Sequence, residues 1–248
     1  MPRFFVPSEN INDCRIRITG GDAAHIMRSL RMSKGEKITV CDMHSTEYEC
    51  EISDFEENSV LLDVISSSLG NTEPPYRVTL YQALPKSDKM DFIVQKAVET
   101  GVYEIVPFIS ERCISRPDAK SAKTKSERWN KIALEAAKQC GRGIIPTVRP
   151  ICTYKQAIDT AGKAEIPILF YEGDGVRSLK EVLGGTACSK ESPVGISIVI
   201  GAEGGFSLAE VKEAADAGLI PTGLGARILR CETAPIVALG ALSYALEL

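Results

Sequence analysis

The chain has 248 residues, 44% hydrophobic and 25% charged, the balance of a soluble globular protein with room for one large domain or two modest ones. A net charge of -4 argues against general affinity for nucleic acid and leaves room for a local basic face. No apolar stretch is long enough to span a bilayer and none reads as a signal peptide, so a cytoplasmic location with no membrane contact is expected. The eight cysteines then stay reduced, and with no C-x-x-C pair and only His25 and His44 to assist, no metal site is expected.

Up to residue 70 the chain reads as short strands: RIRIT, KITVCD, YECEIS and VLLDVIS are β-branched or aromatic and often alternate. Turn residues separate them, and DAAHIMRSLR (22–31) suits one short helix with Asp22 as its N-cap. Several short strands and one helix suggest a small β-barrel over 1–71. The turn-rich LGNTEPPY (69–76) is the natural linker. Beyond it, over 72–248, strands alternate with helices. VTLYQALP is a strand, KMDFIVQKAVETG a helix, YEIVPFIS a strand and KSERWNKIALEAAKQCG a helix. IPTVRPI, a helix near 154–161, IPILFYEG and the β-rich VGISIVIG follow. LAEVKEAADAG is a helix, LGARIL a short strand and APIVALGALSYALEL a terminal helix. That alternation implies an α/β domain with a parallel sheet covered on both faces.

Two basic clusters stand out: Arg15, Arg17, Arg28, Arg31, Lys34 and Lys37, and a second from Arg112 and Arg116 to Lys131. For either alone, a solvated face is the simpler reading.

GISIVIG ends in GAEGG, and Ser207-x-x-Glu210 forms a capping box for the next helix. The glycines therefore lie at the C-terminal end of a parallel strand, where open α/β sheets bind ligands. No lysine follows as in a P-loop, and Glu203 would sit beside any phosphate, so a flat, weakly charged ligand fits the turn better. An empty strand-to-helix turn fits it equally well. A second segment, GLGARILRCETAP (223–235), has G-x-G but not the full dinucleotide fingerprint. It brings Arg230, Glu232 and Thr233 up to Pro235 at the start of the last helix, with Thr233 as a possible N-cap and Arg230 as a possible ion-pair partner of Glu203 or Glu232.

GAEGGFS followed by LGARILRCETA resembles the paired signature of the ribosomal RNA small-subunit methyltransferase E family, uridine-N3 methyltransferases of the SPOUT superfamily. RFFVP, HIMRSLRMSKGE, LPKSDKMDFIVQKAVETGVYEIVPFISER, W…EAAKQCGR and ILFYEG match in order, so the resemblance covers essentially the whole chain. Ala202 stands where the family usually has proline, and Met43 where relatives often have glycine.

The resemblance implies an N-terminal PUA-like barrel for RNA, a C-terminal SPOUT α/β domain with a deep trefoil knot at about 166–235, and a homodimer. It implies S-adenosylmethionine as cofactor, held by Phe170, Tyr171, Glu172 and Gly173, by Ile200, Gly201, Glu203, Gly204 and Gly205, and by Leu224, Gly225, Leu229, Arg230, Thr233 and Ala234. The reaction implied is methylation of N3 of a decoding-site uridine in 16S rRNA of the small ribosomal subunit. Arg230 is the candidate to stabilise the uracil anion, with Glu203 or Glu232 to orient it or act as base. Arg3, His25, Arg28 and Arg31 are the candidate RNA contacts. The competing readings are another SPOUT methyltransferase acting on tRNA or a ribose 2′-OH, a non-catalytic RNA-binding assembly factor, and a nucleotide-dependent oxidoreductase, which the missing fingerprint disfavours.

Overall fold

The computed structural model describes residues 1–12 and 14–248. They fall into two units, one of Met1–Glu73 with Ala137–Ile145, the other of Pro74–Ala136 with Pro146–Leu248.

In the first unit, β1 (Arg3–Phe5), β2 (Arg15–Thr19), β3 (Lys37–Cys41), β4 (Thr46–Glu56) and β5 (Ser59–Leu69) form one sheet in the order β1-β3-β4-β5-β2. β1 and β3 are parallel and the remaining pairs antiparallel. In β2, Ile16 and Ile18 point inward and Arg15 and Arg17 outward. Ile38, Ile52 and Leu62 meet them in a core with Phe4 and Ile26. Each such burial contributes roughly 1.5–3 kcal/mol. The β4–β5 pairing slips twice, at Glu49/Cys50 and Ile52/Asp54, irregularities that bend long antiparallel strands.

The helix between β2 and β3 starts earlier than its sequence suggests. α1 is Gly20–Ala24, and Thr19, not Asp22, occupies the N-cap position. Asp22 sits within the first turn and pairs with Lys138 Nζ at 2.9 Å. After Ala24 the chain continues as a π-type turn, His25–Leu30, and stops at Arg31 in the left-handed region (φ 52°).

The second unit holds β6 (Tyr76–Ala83), α2 (Lys89–Glu99), β7 (Glu104–Ile109), α3 (Ala119–Cys140, to Ala136 in this unit), β8 (Thr147–Val148), β9 (Cys152–Thr153) and α4 (Tyr154–Ala161). β10 (Ile166–Phe170), β11 (Arg177–Ser178), α5 (Leu179–Leu183), β12 (Val194–Ile200), α6 (Leu208–Asp216), β13 (Ile220–Gly223) and α7 (Ala234–Leu246) complete it. The sheet runs β11-β13-β10-β12-β6-β7-β8, with β9 also beside β7, and every pairing in it is parallel. Ile196, Ile198, Val199 and Ile200 of β12 are all buried, as expected for a central parallel strand.

LGARIL is not a strand. β13 occupies Ile220–Gly223 instead, and its partner β10 ends at Phe170, opposite Thr222. Residues from 224 onward have run past their neighbour and have no backbone ladder to join. Because all strands point one way, the segments leaving β6, β10, β12 and β13 emerge at the same edge of the sheet.

No helix is long and apolar enough to cross a membrane, no cysteine is in a disulfide, and no group of three or more His, Cys, Asp or Glu could hold a metal, all among the described residues.

Candidate active site

At that edge lies a cavity of about 370 Å³, within the usual range for a small-molecule site. Phe170, Tyr171 and Glu172 line it from the end of β10; Ile200, Gly201, Ala202, Glu203, Gly205 and Phe206 line it from the end of β12. The continuous run Leu224–Cys231 and Ala234 close the third side, and Lys89, the first residue of α2, closes the fourth.

Four residues expected at the site flank the cavity rather than line it. Gly173 lies beneath the Tyr171 ring, where a Cβ would fall 2.3 Å from Tyr171 Cε1. Gly204 carries its carbonyl to Arg112, whose Nη1 donates to it at 2.8 Å. Thr233 occupies the N-cap position of α7 without a side-chain cap bond. Glu232 faces Lys89. In the other direction, Ala202, Ala226, Arg227, Ile228 and Cys231 line the cavity from within the loops 200–205 and 224–234 that the resemblance assigns to the cofactor, whereas Lys89 and Phe206 line it from outside those loops and carried no signal in the sequence.

The β12 loop is held by a set of local bonds. Ser207 caps α6, and the buried Glu210 carboxylate accepts from Ser207 N–H (2.9 Å) and Glu111 N–H (2.8 Å). The Tyr154 hydroxyl donates to the Glu210 carbonyl at 2.5 Å. Gln82, fully buried in β6, donates to the Gly201 carbonyl at 3.2 Å. Gly205 N–H donates to the Ala202 carbonyl (3.0 Å), so the turn closes with alanine in the place of proline. Gly205 itself has φ +60°, where a side chain is strained, and a Cβ there would lie 2.7 Å from Glu172 Oε1, so a substitution would also have to displace that carboxylate.

The charges sort into two groups. Lys89 Nζ reaches Glu203 Oε1 at 2.9 Å and Glu232 Oε2 at 3.1 Å. The Lys86 N–H also donates to Glu203 Oε1, at 3.1 Å. Burial pushes the Glu203 carboxyl up, but the Lys89 and backbone hydrogen bonds outweigh it, and the net shift is downward. Glu232 is lowered in the same way, with burial opposed by bonds from the Cys231 thiol and Lys89. Those two carboxylates in turn raise Lys89. Burial and the Glu232 carboxylate push the Cys231 thiol up to about 12, so it stays protonated and is no nucleophile near neutral pH.

Arg230 and Arg227 make the second group. Among the described residues neither guanidinium has a hydrogen bond or ion pair, and both line the cavity. This corrects the pairing suggested by sequence proximity: Glu203 and Glu232 are engaged by Lys89, not by Arg230.

In the first unit the basic cluster is largely neutralised by cross-strand acids. Arg15 pairs with Asp63, Arg17 with Glu56, Lys34 with Asp54 and Lys37 with Glu49. Arg28, Arg31 and His25 remain exposed on the α1–π-turn segment, the His25 ring edge-on to Phe4. Arg3 is a different case. Its guanidinium bonds both Glu47 oxygens, the Cys41 sulfur and the Arg142 carbonyl, and its side chain is only 16% exposed. Its donors are thus engaged inside the unit.

An RNA methyltransferase domain model matches residues 72–243, and an RNA methyltransferase PUA domain model matches residues 18–65. The ribosomal RNA small subunit methyltransferase E of Bacillus subtilis (strain 168) is 36% identical over all of this chain and 98% of its own length. The chain belongs to the ribosomal RNA small subunit methyltransferase E family. The Neisseria gonorrhoeae member, solved bound to S-adenosyl methionine, superposes with a TM-score of 0.85 at 31% identity, over 99% of this chain and 98% of its own. A Legionella pneumophila methyltransferase structure with bound SAM gives the same TM-score at 30% identity, covering 98% and 97%. Family membership and the cavity thus meet on the same three strand ends that the sequence signature occupies.

Proposed function

We propose that this chain is a cytoplasmic, homodimeric enzyme that uses S-adenosylmethionine to methylate N3 of a decoding-site uridine in 16S rRNA. Its bulged first-unit sheet serves as the PUA-like barrel that docks RNA, and the chain through 166–235 forms a trefoil knot. The strand order supports the knot: β12 lies between β10 and β6, β13 lies between β10 and β11, and the chain must cross back past both to lay α7 on α2.

The observation that carries the reading is the convergence of Tyr171, Glu203 and Arg230 on one cavity, with Arg230 unpaired in it. The lining suits the cofactor. Apolar walls from Phe170, Ile200 and Leu229 fit a flat base, the glycine cradle admits close backbone approach, and Glu172 and Glu203 tolerate a cation better than a phosphate. Bound there, S-adenosylmethionine supplies an electrophilic methyl carbon on a sulfonium sulfur.

Uracil N3 carries a proton and a delocalised lone pair, so it becomes a nucleophile only as the proton leaves. Negative charge then spreads onto the two carbonyl oxygens flanking N3. An unpaired guanidinium in the cavity wall is the group on this chain suited to meet that charge. The N3 proton would leave to solvent and N3 would take the methyl group, the methyl–sulfur bond breaking with its electron pair left on a neutral thioether. Holding base and donor in line contributes several kcal/mol, on the order of the entropy of bringing two reactants together.

The test is to incubate the purified protein with S-adenosylmethionine and undermethylated small subunits, then map methyl groups on the RNA by mass spectrometry. A single new methyl on uracil N3 is expected. Methylation of a ribose, of tRNA only, or of nothing overturns the reading.

A further inference from the structure

We propose that Lys89 is a positioning residue for methyl transfer, its ammonium pinning Glu203 and Glu232 and so tying the β12 loop to the segment before α7. This rests on the reading of the cavity given above. Lys89 opens α2, where the helix dipole disfavours a cation. It is held there by two carboxylates from two other segments, at 2.9 and 3.1 Å. Cys231 Sγ stands 3.8 Å from the same nitrogen and donates to Glu232 at 3.2 Å, and Lys86 N–H completes the hold on Glu203.

One ammonium thus joins three of the four segments that wall the cavity: the start of α2, the loop after β12 and the loop after β13. Without it, two carboxylates close enough to share one partner repel each other across the ligand site. The remaining charged or titratable groups on the cavity wall are the Tyr171 phenol, Glu172, Arg227, Arg230 and the Cys231 thiol, and neither Arg227 nor Arg230 bonds either carboxylate among the described residues. The same geometry gives Glu203 and Glu232 a structural partner that makes each a poorer proton acceptor, while the Arg227 and Arg230 guanidiniums stay uncommitted on the cavity wall.

The experiment compares wild type, Lys89→Met and Lys89→Arg in three measurements: S-adenosylmethionine affinity by calorimetry, kcat and KM against pH, and thermal unfolding against pH without cofactor. Lys89→Met is expected to weaken cofactor binding about ten- to a hundred-fold, the loss typical of bonds to charged groups. Its acid limb of activity moves to higher pH, because both carboxyls rise once the cation is gone. Lys89→Arg restores a large part of both.

In the unfolding series, the stability that the lowered carboxyls contribute is present above their ordinary range and is lost as pH falls through their folded values. The gap between wild type and Lys89→Met therefore narrows on acidification. Should Lys89→Met fail to fold, Glu232→Gln removes one arm only and is expected to show the same shifts at smaller size. A Lys89→Met protein with wild-type affinity and an unmoved acid limb overturns the proposal while leaving the cavity reading intact. So does a loss that Lys89→Arg does not restore with no change in the pH profile, since that marks a packing role alone. Failure of the wild type to bind S-adenosylmethionine overturns both.

Discussion

Arg230 is an exposed guanidinium on the cavity wall with no counter-ion among the described residues. Its backbone is held, since its carbonyl accepts from Thr233 N–H and Ala234 N–H at 2.8 and 2.9 Å, while its head remains uncommitted. A cation so placed serves charge that develops later more than charge already present. Arg230→Ala is therefore expected to lower kcat by about 10²–10³, the usual cost of removing one such donor, with cofactor affinity within a few-fold of wild type. Single-turnover kinetics and calorimetry on one preparation check both halves, and equal turnover removes Arg230 from the mechanism. That residue was legible in the sequence because it sits beside glutamate and threonine at a helix start, in a segment too glycine-rich for a ladder. Lys89 was not legible. In sequence it is one more charge on an amphipathic helix, and its partners lie 114 and 143 positions away. Arg3 is the reverse case: its charge is visible in the sequence, but Glu47, which pairs with it, is brought alongside only by the pairing of β1, β3 and β4.

The α1–π-turn segment shows how an element can present a residue at some local cost. Its apolar spacing puts Ala23 and Ile26 into the core and leaves His25, Arg28 and Arg31 outside. The widened turn ends with Arg31 at φ 52°, a conformation costing a non-glycine residue roughly 1–2 kcal/mol. An arginine kept there against that cost is best explained by what its side chain reaches. Arg31→Gly and Arg31→Ala separate the two contributions. Both are expected to weaken RNA binding and lower its salt slope by about one unit, the signature of one lost phosphate contact. Only the glycine variant is expected to unfold at the same or higher temperature than wild type, because only glycine relieves the backbone. An unchanged salt slope in both returns Arg31 to the solvated surface. At this scale the long elements were readable and the short ones were not. β2 alternates over five residues and β12 is one apolar run, whereas β8, β9 and β11 have two residues each, too few to show any period. LGARIL misleads because its residue types suit a strand while no neighbouring strand extends far enough to pair with it.

For the molecule as a whole, composition and pattern separate two units but cannot say that Ala137–Ile145 returns to the first. The helical period runs unbroken through Ala137, and what decides the matter is Glu73, whose carboxylate binds the buried Arg142 guanidinium at 2.6 Å and accepts from Gly143 N–H at 2.9 Å. The proposed homodimer, by contrast, has a surface feature to account for. α7 is apolar on every side, APIVALGALSYAL, yet only part of it is covered. Pro235, Ala238, Leu239 and Leu242 are buried, while Val237, Gly240 and Tyr244 lie exposed at intervals of three and four residues on one stripe of the helix. Phe92 of α2, the helix on which α7 packs, is also 46% exposed. In the proposed homodimer, a second copy of this chain would cover the stripe, since a helix stripe made of small and aromatic residues can cover itself across a twofold axis. Wild type is then expected to scatter light as twice the 26.9 kDa chain mass, and Tyr244→Asp, which sets a charge on the stripe, as a single chain. Leu69→Asp, at a side chain 81% exposed in the other unit, is expected to leave the mass unchanged. Wild type measured at 26.9 kDa across micromolar concentrations would mean that the stripe faces water or some other partner, and the dimer would have to be given up.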